Sequence, residues 1–196
     1  YFTFPKIIYI TSNIFIMKNK ILIFSPTYNE SENITKLLNK IDQLNLNADV
    51  LIIDDNSPDK TWKIVQEYAK NKKNIHLIIR EKKEGLDTAH KIAYEYSVAS
   101  NYQYLITMDA DLTHDPNKIL EIIYELRTNI FVICSRYIIG GSTDIKGFRL
   151  FLSYFGNKFM KFIFNINCHD FACAYRGYSL NKLGDFNIRN ISSRGY

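Results

Sequence analysis

An α/β fold built on a mostly parallel sheet flanked by helices is predicted by three observations. Short Val/Ile/Leu-rich runs alternate with longer segments of helical periodicity, the pattern of repeated βαβ units. The short runs are apolar throughout rather than on alternate residues, as strands covered by helices on both faces must be. Gly, Pro, Asn, Asp and Ser collect between the two kinds of segment, where turns and caps require them.

Lys20–Ser25 is the first expected strand, followed by a helix over Glu32–Leu44, where Ile34, Leu37, Leu38 and Ile41 recur at helical spacing. Val50–Asp54 is the second strand, and Asp59 or Ser57 can cap a helix over Asp59–Asn71. Ile75–Ile79 and Leu86–Ala99 form the third strand and helix. Tyr104–Met108 is the fourth strand, and Asp115 before Pro116 is a good start for a helix over Asn117–Leu126. Ile130–Ser135 is the fifth strand. Gly140-Gly141-Ser142-Thr143 then forms a loop, and Phe148–Phe164 a helix with aromatics on more than one face. The preference of aromatics for cores predicts a buried helix. Lys146, Arg149, Lys158 and Lys161 support the alternative of a helix beside a lipid or membrane surface.

The chain has 196 residues, 46% hydrophobic and 23% charged, which excludes disordered, collagenous and membrane-spanning classes and fits one domain. Cys134, Cys168 and Cys173 are too few for a disulfide framework, so a reducing compartment is the default. Their spacing matches no zinc pattern, and they read as structural. Residues 1–16 carry apolar side chains interrupted by Pro5, Lys6 and Asn13. That stretch is too short to span a bilayer and lacks a cleavage site for a signal peptide. Met17 reads as the natural start, and residues 1–16 as a non-native or disordered extension. The net charge is +5; residues 136–196 alone carry +6, so the basic excess is C-terminal. Nucleic acid, an anionic membrane or a phosphorylated substrate would each suit it.

Ligands of open α/β sheets bind beyond the carboxyl ends of the strands, and those positions here are unusually acidic. Asp54 and Asp55 follow the second strand, Asp109 and Asp111 the fourth, and Arg136 the fifth. Paired carboxylates at one strand end suit a hard divalent cation that also bridges a diphosphate, with Thr113 or water completing the shell. Two aspartates capping the next helix are the plainer alternative. A helix cap needs only one carboxylate, so the surplus at Asp54-Asp55 has ribose or base N–H groups as suitable partners.

Five segments appear in order: Pro26-Thr27-Tyr28-Asn29-Glu30; Asp54-Asp55-Asn56-Ser57-Pro58-Asp59; Arg80 to Ala89 with Gly85-Leu86-Asp87-Thr88; Asp109-Ala110-Asp111-Leu112-Thr113-His114; and Ser135-Arg136-Tyr137. Together they make the chain similar to the family-2 inverting glycosyltransferases, and within them to the dolichol-phosphate (polyprenol-phosphate) mannose synthases. The resemblance runs from about Lys20 to Tyr196 and implies a GT-A-type, Rossmann-like catalytic domain over residues 17–196. The Arg194-Gly195-Tyr196 end falls inside a family motif, which implies that the C-terminal part is missing.

The resemblance further implies that Pro26, Tyr28, Glu30, Ile53 and Asp55 line the donor's nucleotide pocket. Asp109, Ala110, Asp111 and Arg136 would hold the sugar nucleotide, and Asp109, Asp111 and Thr113 the Mg²⁺ or Mn²⁺. Asp111 and Arg136 would act in catalysis, and Arg136, Arg149 and Arg176 would engage the acceptor phosphate. Asp87 stands where the family has a second glycine, which predicts loss of a close backbone approach there. The implied reaction moves mannose from GDP-mannose to a dolichyl or polyprenyl phosphate, at the cytoplasmic face of a membrane and with a possible separate membrane-anchor subunit. Nucleic acid is not an implied partner. A UDP-glucose enzyme, or an inactive nucleotide-binding remnant, is the alternative. A receiver-type signalling module fits poorly, since it needs paired aspartates after the first strand, where Pro26-Thr27-Tyr28 stands.

Overall fold

The structure, a computed structural model, describes residues 21–143, 145–184, 186 and 188. The readings of residues 1–16, Met17 and the C-terminal Arg194-Gly195-Tyr196 lie outside the described residues. Six strands form one sheet in the order β3-β2-β1-β4-β6-β5: β1 (Ile21–Thr27), β2 (Ala48–Asp54), β3 (Ile75–Ile79), β4 (Tyr104–Thr107), β5 (Phe131–Ile133) and β6 (Arg176–Ser179). Pairing among β1 to β4 is parallel, as the doubly covered apolar runs predict. The register sets Phe24 opposite Thr107 and Asp54 opposite Ile79, so the strands end along one rim.

Helices cover both faces. On one side α1 (Ile34–Gln43), α2 (Thr61–Ala69) and α4 (Lys118–Leu126) bury Ile34, Leu37, Leu38, Val65, Ile119 and Leu126 against Ile23, Ile52 and Ile106. On the other, α3 (Leu86–Ala99) sets Ala89 and Ala93 against Leu22, Phe24 and Ile53. Small residues on the α3 face let it lie close to the sheet, the shape complementarity that dense cores require.

Two expectations are corrected. β5 does not extend the parallel array. An antiparallel strand, β6, lies between it and β4. The segment Arg-Gly-Tyr-Ser lacks a β-branched run, so its strand state comes from its neighbours rather than from propensity. Gly177 shows the fit: a Cβ there would lie 2.4 Å from Ile122 Cγ2 of α4. The second correction concerns α5 (Gly147–Phe164), whose aromatics are not buried. Phe148, Phe151, Phe155, Phe159, Phe162 and Phe164 are all exposed, and Asn157 is its buried residue.

Candidate active site

The end of β2 is fastened by Asp54. Its fully buried carboxylate accepts hydrogen bonds from Thr27 Oγ1 at 2.7 Å, Ser57 N at 2.8 Å and Ser57 Oγ at 2.7 Å. Asp54 therefore joins the ends of β1 and β2 to the following turn, and is not surplus acid. Asp59, one residue before the Lys60 N-cap of α2, serves the helix's first N–H, accepting from Thr61 N at 2.9 Å and Thr61 Oγ1 at 2.6 Å. Burial pushes the Asp59 carboxyl upward, but these bonds and those from Ser31 outweigh it and hold it below the usual range.

Asp55, also buried, is held by Arg80 from the end of β3. The same guanidinium donates to Thr88 Oγ1 and, at 3.0 Å, to the Gly85 carbonyl. One arginine thus ties the Asp55 carboxylate to the start of α3. Gly85 has φ 97°, the backbone state a glycine tolerates without strain. Asp87 sits inside the first turn of α3, a position that needs no glycine and where an acid favours the helix N-terminus. The left-handed turn is thus kept at Gly85.

Pro26 pairs with Ile53 across β1 and β2. Ile53 is buried in the α3-side core, so its side chain presents no surface to a ligand. Tyr28 is exposed, with Lys83 Nζ 3.9 Å from its ring centroid. Glu30 accepts from Asn33 Nδ2 at 2.9 Å, and its backbone N–H donates to Thr61 Oγ1. Lys83 and Arg80 are contributors that the sequence reading assigned no role. Their signal in the sequence is membership of the Arg80 to Ala89 segment after β3.

Beyond β4, Asp109 is half-buried, Ala110 buried and Asp111 exposed. Asp111 Oδ1 accepts from Thr113 N at 3.0 Å and from Thr113 Oγ1 at 2.7 Å. This tight turn places Leu112 at φ 65°. His114, which the sequence reading passed over, accepts from Asp109 N at 3.0 Å through Nδ1. Its Nε2 lies 3.7 Å from Asp109 Oδ2 and its ring stacks on Tyr175 at 4.9 Å. Burial raises the Asp109 carboxyl above its ordinary range and Asp111 adds to this, with His114 opposing. A bound cation would offset the burial of Asp109 and the repulsion from Asp111, so the donor set fits one. Among the described residues no group of three or more His, Cys, Asp or Glu is placed to hold a metal. The aspartate pair therefore suits an ion whose other ligands come from substrate phosphate and water, as Mg²⁺ commonly takes them.

Arg136 leaves β5 on the same rim; burial lowers the pKa of His114 and the Arg136 charge adds to this, with Asp109 and Asp111 opposing. Asp170, wholly buried, accepts from Arg136 Nε at 2.7 Å, Nη2 at 2.9 Å and backbone N at 3.2 Å. Arg176 enters from β6, and Nε and Nη2 donate to the carbonyls of Cys173 at 2.7 Å and Phe171 at 3.1 Å. Two of the three predicted phosphate arginines, Arg136 and Arg176, thus brace the 170–173 segment. Arg149 is exposed in the first turn of α5. The three cysteines are free, and burial pushes the Cys134 thiol up to about 12 and raises Cys173 as well. Cys134 and Cys173 pack in the core as structural groups, as the sequence predicts.

A mostly parallel sheet whose carboxyl rim carries an acidic pair, an arginine-held aspartate and a carboxylate-braced arginine fits a glycosyltransferase of GT-A architecture. The glycosyl transferase family 2 model matches residues 22–185, and the chain belongs to that family. It is 30% identical over 178 residues to an undecaprenyl-phosphate mannosyltransferase of Micrococcus luteus, covering 90% of this chain and 73% of that one. It is 29% identical to a polyprenol monophosphomannose synthase of Mycolicibacterium smegmatis, over 89% of this chain and 67% of that one. In fold, it is similar to a mannosyltransferase of Pyrobaculum calidifontis solved with GDP-Man and Mn²⁺. There the TM-score is 0.55 at 17% identity, over 89% of this chain and 49% of that one.

Proposed function

We propose that the protein transfers mannose from GDP-mannose to a dolichyl or polyprenyl phosphate, inverting the anomeric carbon to give a β-linked lipid-phosphate sugar. The observation that carries this reading is the rim itself, where Asp109 and Asp111 follow β4 and Arg136, held by Asp170, follows β5. The similarity to two polyprenyl-phosphate mannosyltransferases over about nine-tenths of the chain supports the choice of sugar and acceptor.

An acceptor monophosphate is already an anionic nucleophile, so attack at C1 of the sugar needs positioning and charge neutralisation more than a strong base. Asp55, Glu30 and Tyr28 orient the nucleoside. Arg136, its fork held by Asp170, presents a fixed positive charge to phosphate, and Arg149 a second one at the start of α5. An arginine suits this work because its planar guanidinium bonds two oxygens. Asp109 and Asp111, with Thr113 beside them, would hold a Mg²⁺ or Mn²⁺ ion that supplies charge stabilisation for the departing diphosphate. A lipid acceptor sets the reaction at a membrane surface, read here as the cytoplasmic face, with or without a separate anchoring subunit. Among the described residues no helix is long and apolar enough to cross a membrane.

Incubation with labelled GDP-mannose, Mg²⁺ or Mn²⁺ and polyprenyl phosphate tests the reading. Lipid-extractable label that Asp111→Ala abolishes supports it. Label transferred only from a UDP-sugar moves the assignment to the UDP-glucose type. Calorimetric binding of GDP with metal but no turnover marks an inactive remnant.

A further inference from the structure

The turn that carries the acid pair is closed by His114. Its Nδ1 accepts the Asp109 backbone N–H at 3.0 Å, so the loop is cinched at both ends, with Leu112 at φ 65° reversing the chain between them. A ring nitrogen that accepts from a backbone N–H carries no proton. The imidazole is therefore neutral, with its one proton on Nε2. Nε2 lies 3.7 Å from Asp109 Oδ2, beyond hydrogen-bond length. Its N–H steers the carboxylate through a dipole without occupying the oxygen. Both ring nitrogens are thus committed, and neither keeps a lone pair for a metal.

The ring rests on Tyr175, the residue before β6, with 4.9 Å between centroids and 18° between planes. Tyr175 is a firm base for it. Its side chain is buried, its hydroxyl donates to the Asp115 carbonyl at 2.9 Å, and its own carbonyl accepts from Cys134 N at 3.0 Å. The carbonyl of Ala174 accepts from Thr107 Oγ1 of β4 at 2.8 Å. Tyr175 adjoins Arg176, and Cys134 stands just before Ser135-Arg136. One ring stack therefore registers the acid turn against the segments that carry both arginines.

We propose that His114 is a positioning residue for the metal site: a neutral imidazole, seated on Tyr175, that fixes the Asp109 backbone so that Asp109 and Asp111 can share one divalent cation. This rests on reading the aspartate pair as the place of the cation and the donor diphosphate. His114 acts from behind Asp109 and does not touch the ion. Groups that orient a ligand in this way commonly change metal affinity by about 10–100-fold when removed. A ring that merely filled space would tolerate phenylalanine. One that holds the Asp109 N–H would not, because that half-buried donor would lose its acceptor.

Mn²⁺ titration of the full chain with GDP, followed by electron paramagnetic resonance without sugar or acceptor, tests the role. His114→Phe keeps a ring to stack on Tyr175 but offers no acceptor, and should weaken Mn²⁺ binding by about tenfold or more. His114→Asn sets an amide oxygen close to the place of Nδ1 and should recover most of that loss. In turnover, His114→Phe should need about tenfold more Mn²⁺ to reach half its own maximal rate. As a measure that needs no variant to fold well, long-range ¹H–¹⁵N spectra of the metal-free chain with labelled histidine should show His114 protonated at Nε2 and bare at Nδ1. Mn²⁺ binding unchanged in His114→Phe, His114→Asn as weak as His114→Phe, a proton on Nδ1, or no Mn²⁺ binding by the unchanged protein with GDP overturns the proposal. The titration contains no mannose and the spectra no metal, so these failures and the failure of mannosyl transfer are separate results.

Discussion

Arg136 is fixed by Asp170 through three hydrogen bonds, two from its guanidinium and one from its own backbone N–H. The carboxylate is wholly buried and the guanidinium partly exposed. The arginine is therefore pre-aimed at the rim, and the loop that begins at Asp170 is tied to the end of β5. Asp170→Asn keeps the size but removes the charge-assisted pair. Transfer should fall by roughly 10²-fold, the scale of a misplaced catalytic group. Steady-state kinetics should place the loss in kcat and acceptor KM, with calorimetric GDP affinity little changed. Equal loss of GDP affinity would contradict the division between donor and acceptor sides.

The Arg80–Asp55 pair makes the complementary prediction on the donor side. Arg80→Met strands a buried carboxylate, and breaking such a pair costs on the order of 3 kcal/mol. Chemical denaturation should register that loss. In the same variant GDP binding should weaken, because Thr88 and Gly85 at the start of α3 lose their tether. Arg80→Lys should recover only part of either effect, since an ammonium cannot span Asp55, Thr88 and Gly85 together.

Lys60 holds a left-handed backbone at φ 61° between the Ser57 turn and α2. A non-glycine residue is strained there. Lys60→Gly should stabilise the protein by about 0.5–1 kcal/mol once the entropy of the added glycine is set against the relieved strain. Thermal unfolding should show a small rise in Tm, and a fall would refute the strain.

His90 gives a pH dependence. Burial against the Phe24 edge, with Arg176 nearby, pushes its pKa down to about 4, against an ordinary value of 6.5. Between those values the unfolded chain binds a proton that the folded chain rejects. This contribution to stability is therefore intact above pH 6.5 and declines as pH falls toward 4, by at most about 3 kcal/mol. Urea unfolding at pH 7 and pH 5 should show the decline, and His90→Gln should lessen it. An unchanged slope in that variant would exclude His90 as a source.

The parallel half of the sheet was legible because its strands are doubly covered apolar runs whose pattern is local. The rim was legible for the same reason, since Asp55, Asp109, Asp111 and Arg136 each stand directly after such a run. β6 was not legible, because Arg176–Ser179 becomes a strand only when β4 and β5 supply partners on either side. The partner of Asp55 was hidden too. Arg80 lies 25 residues away, and only the adjacency of β2 and β3 brings the two together.

By itself, the sequence determined which residues reach the carboxyl rim, since strand ends and charged residues are local properties of the chain, while the glycosyltransferase chemistry was implied by the resemblance of its motifs to family 2. The tertiary structure alone decided what each charge does there. It makes Asp54 a brace for β1 and β2, gives Asp55 to Arg80 and Arg136 to Asp170, and turns the aromatic stripe of α5 outward. Periodicity in a sequence reports that a helix has an apolar face. Which way that face points depends on whether the polar side finds partners within the fold, as Asn157 does at Phe171.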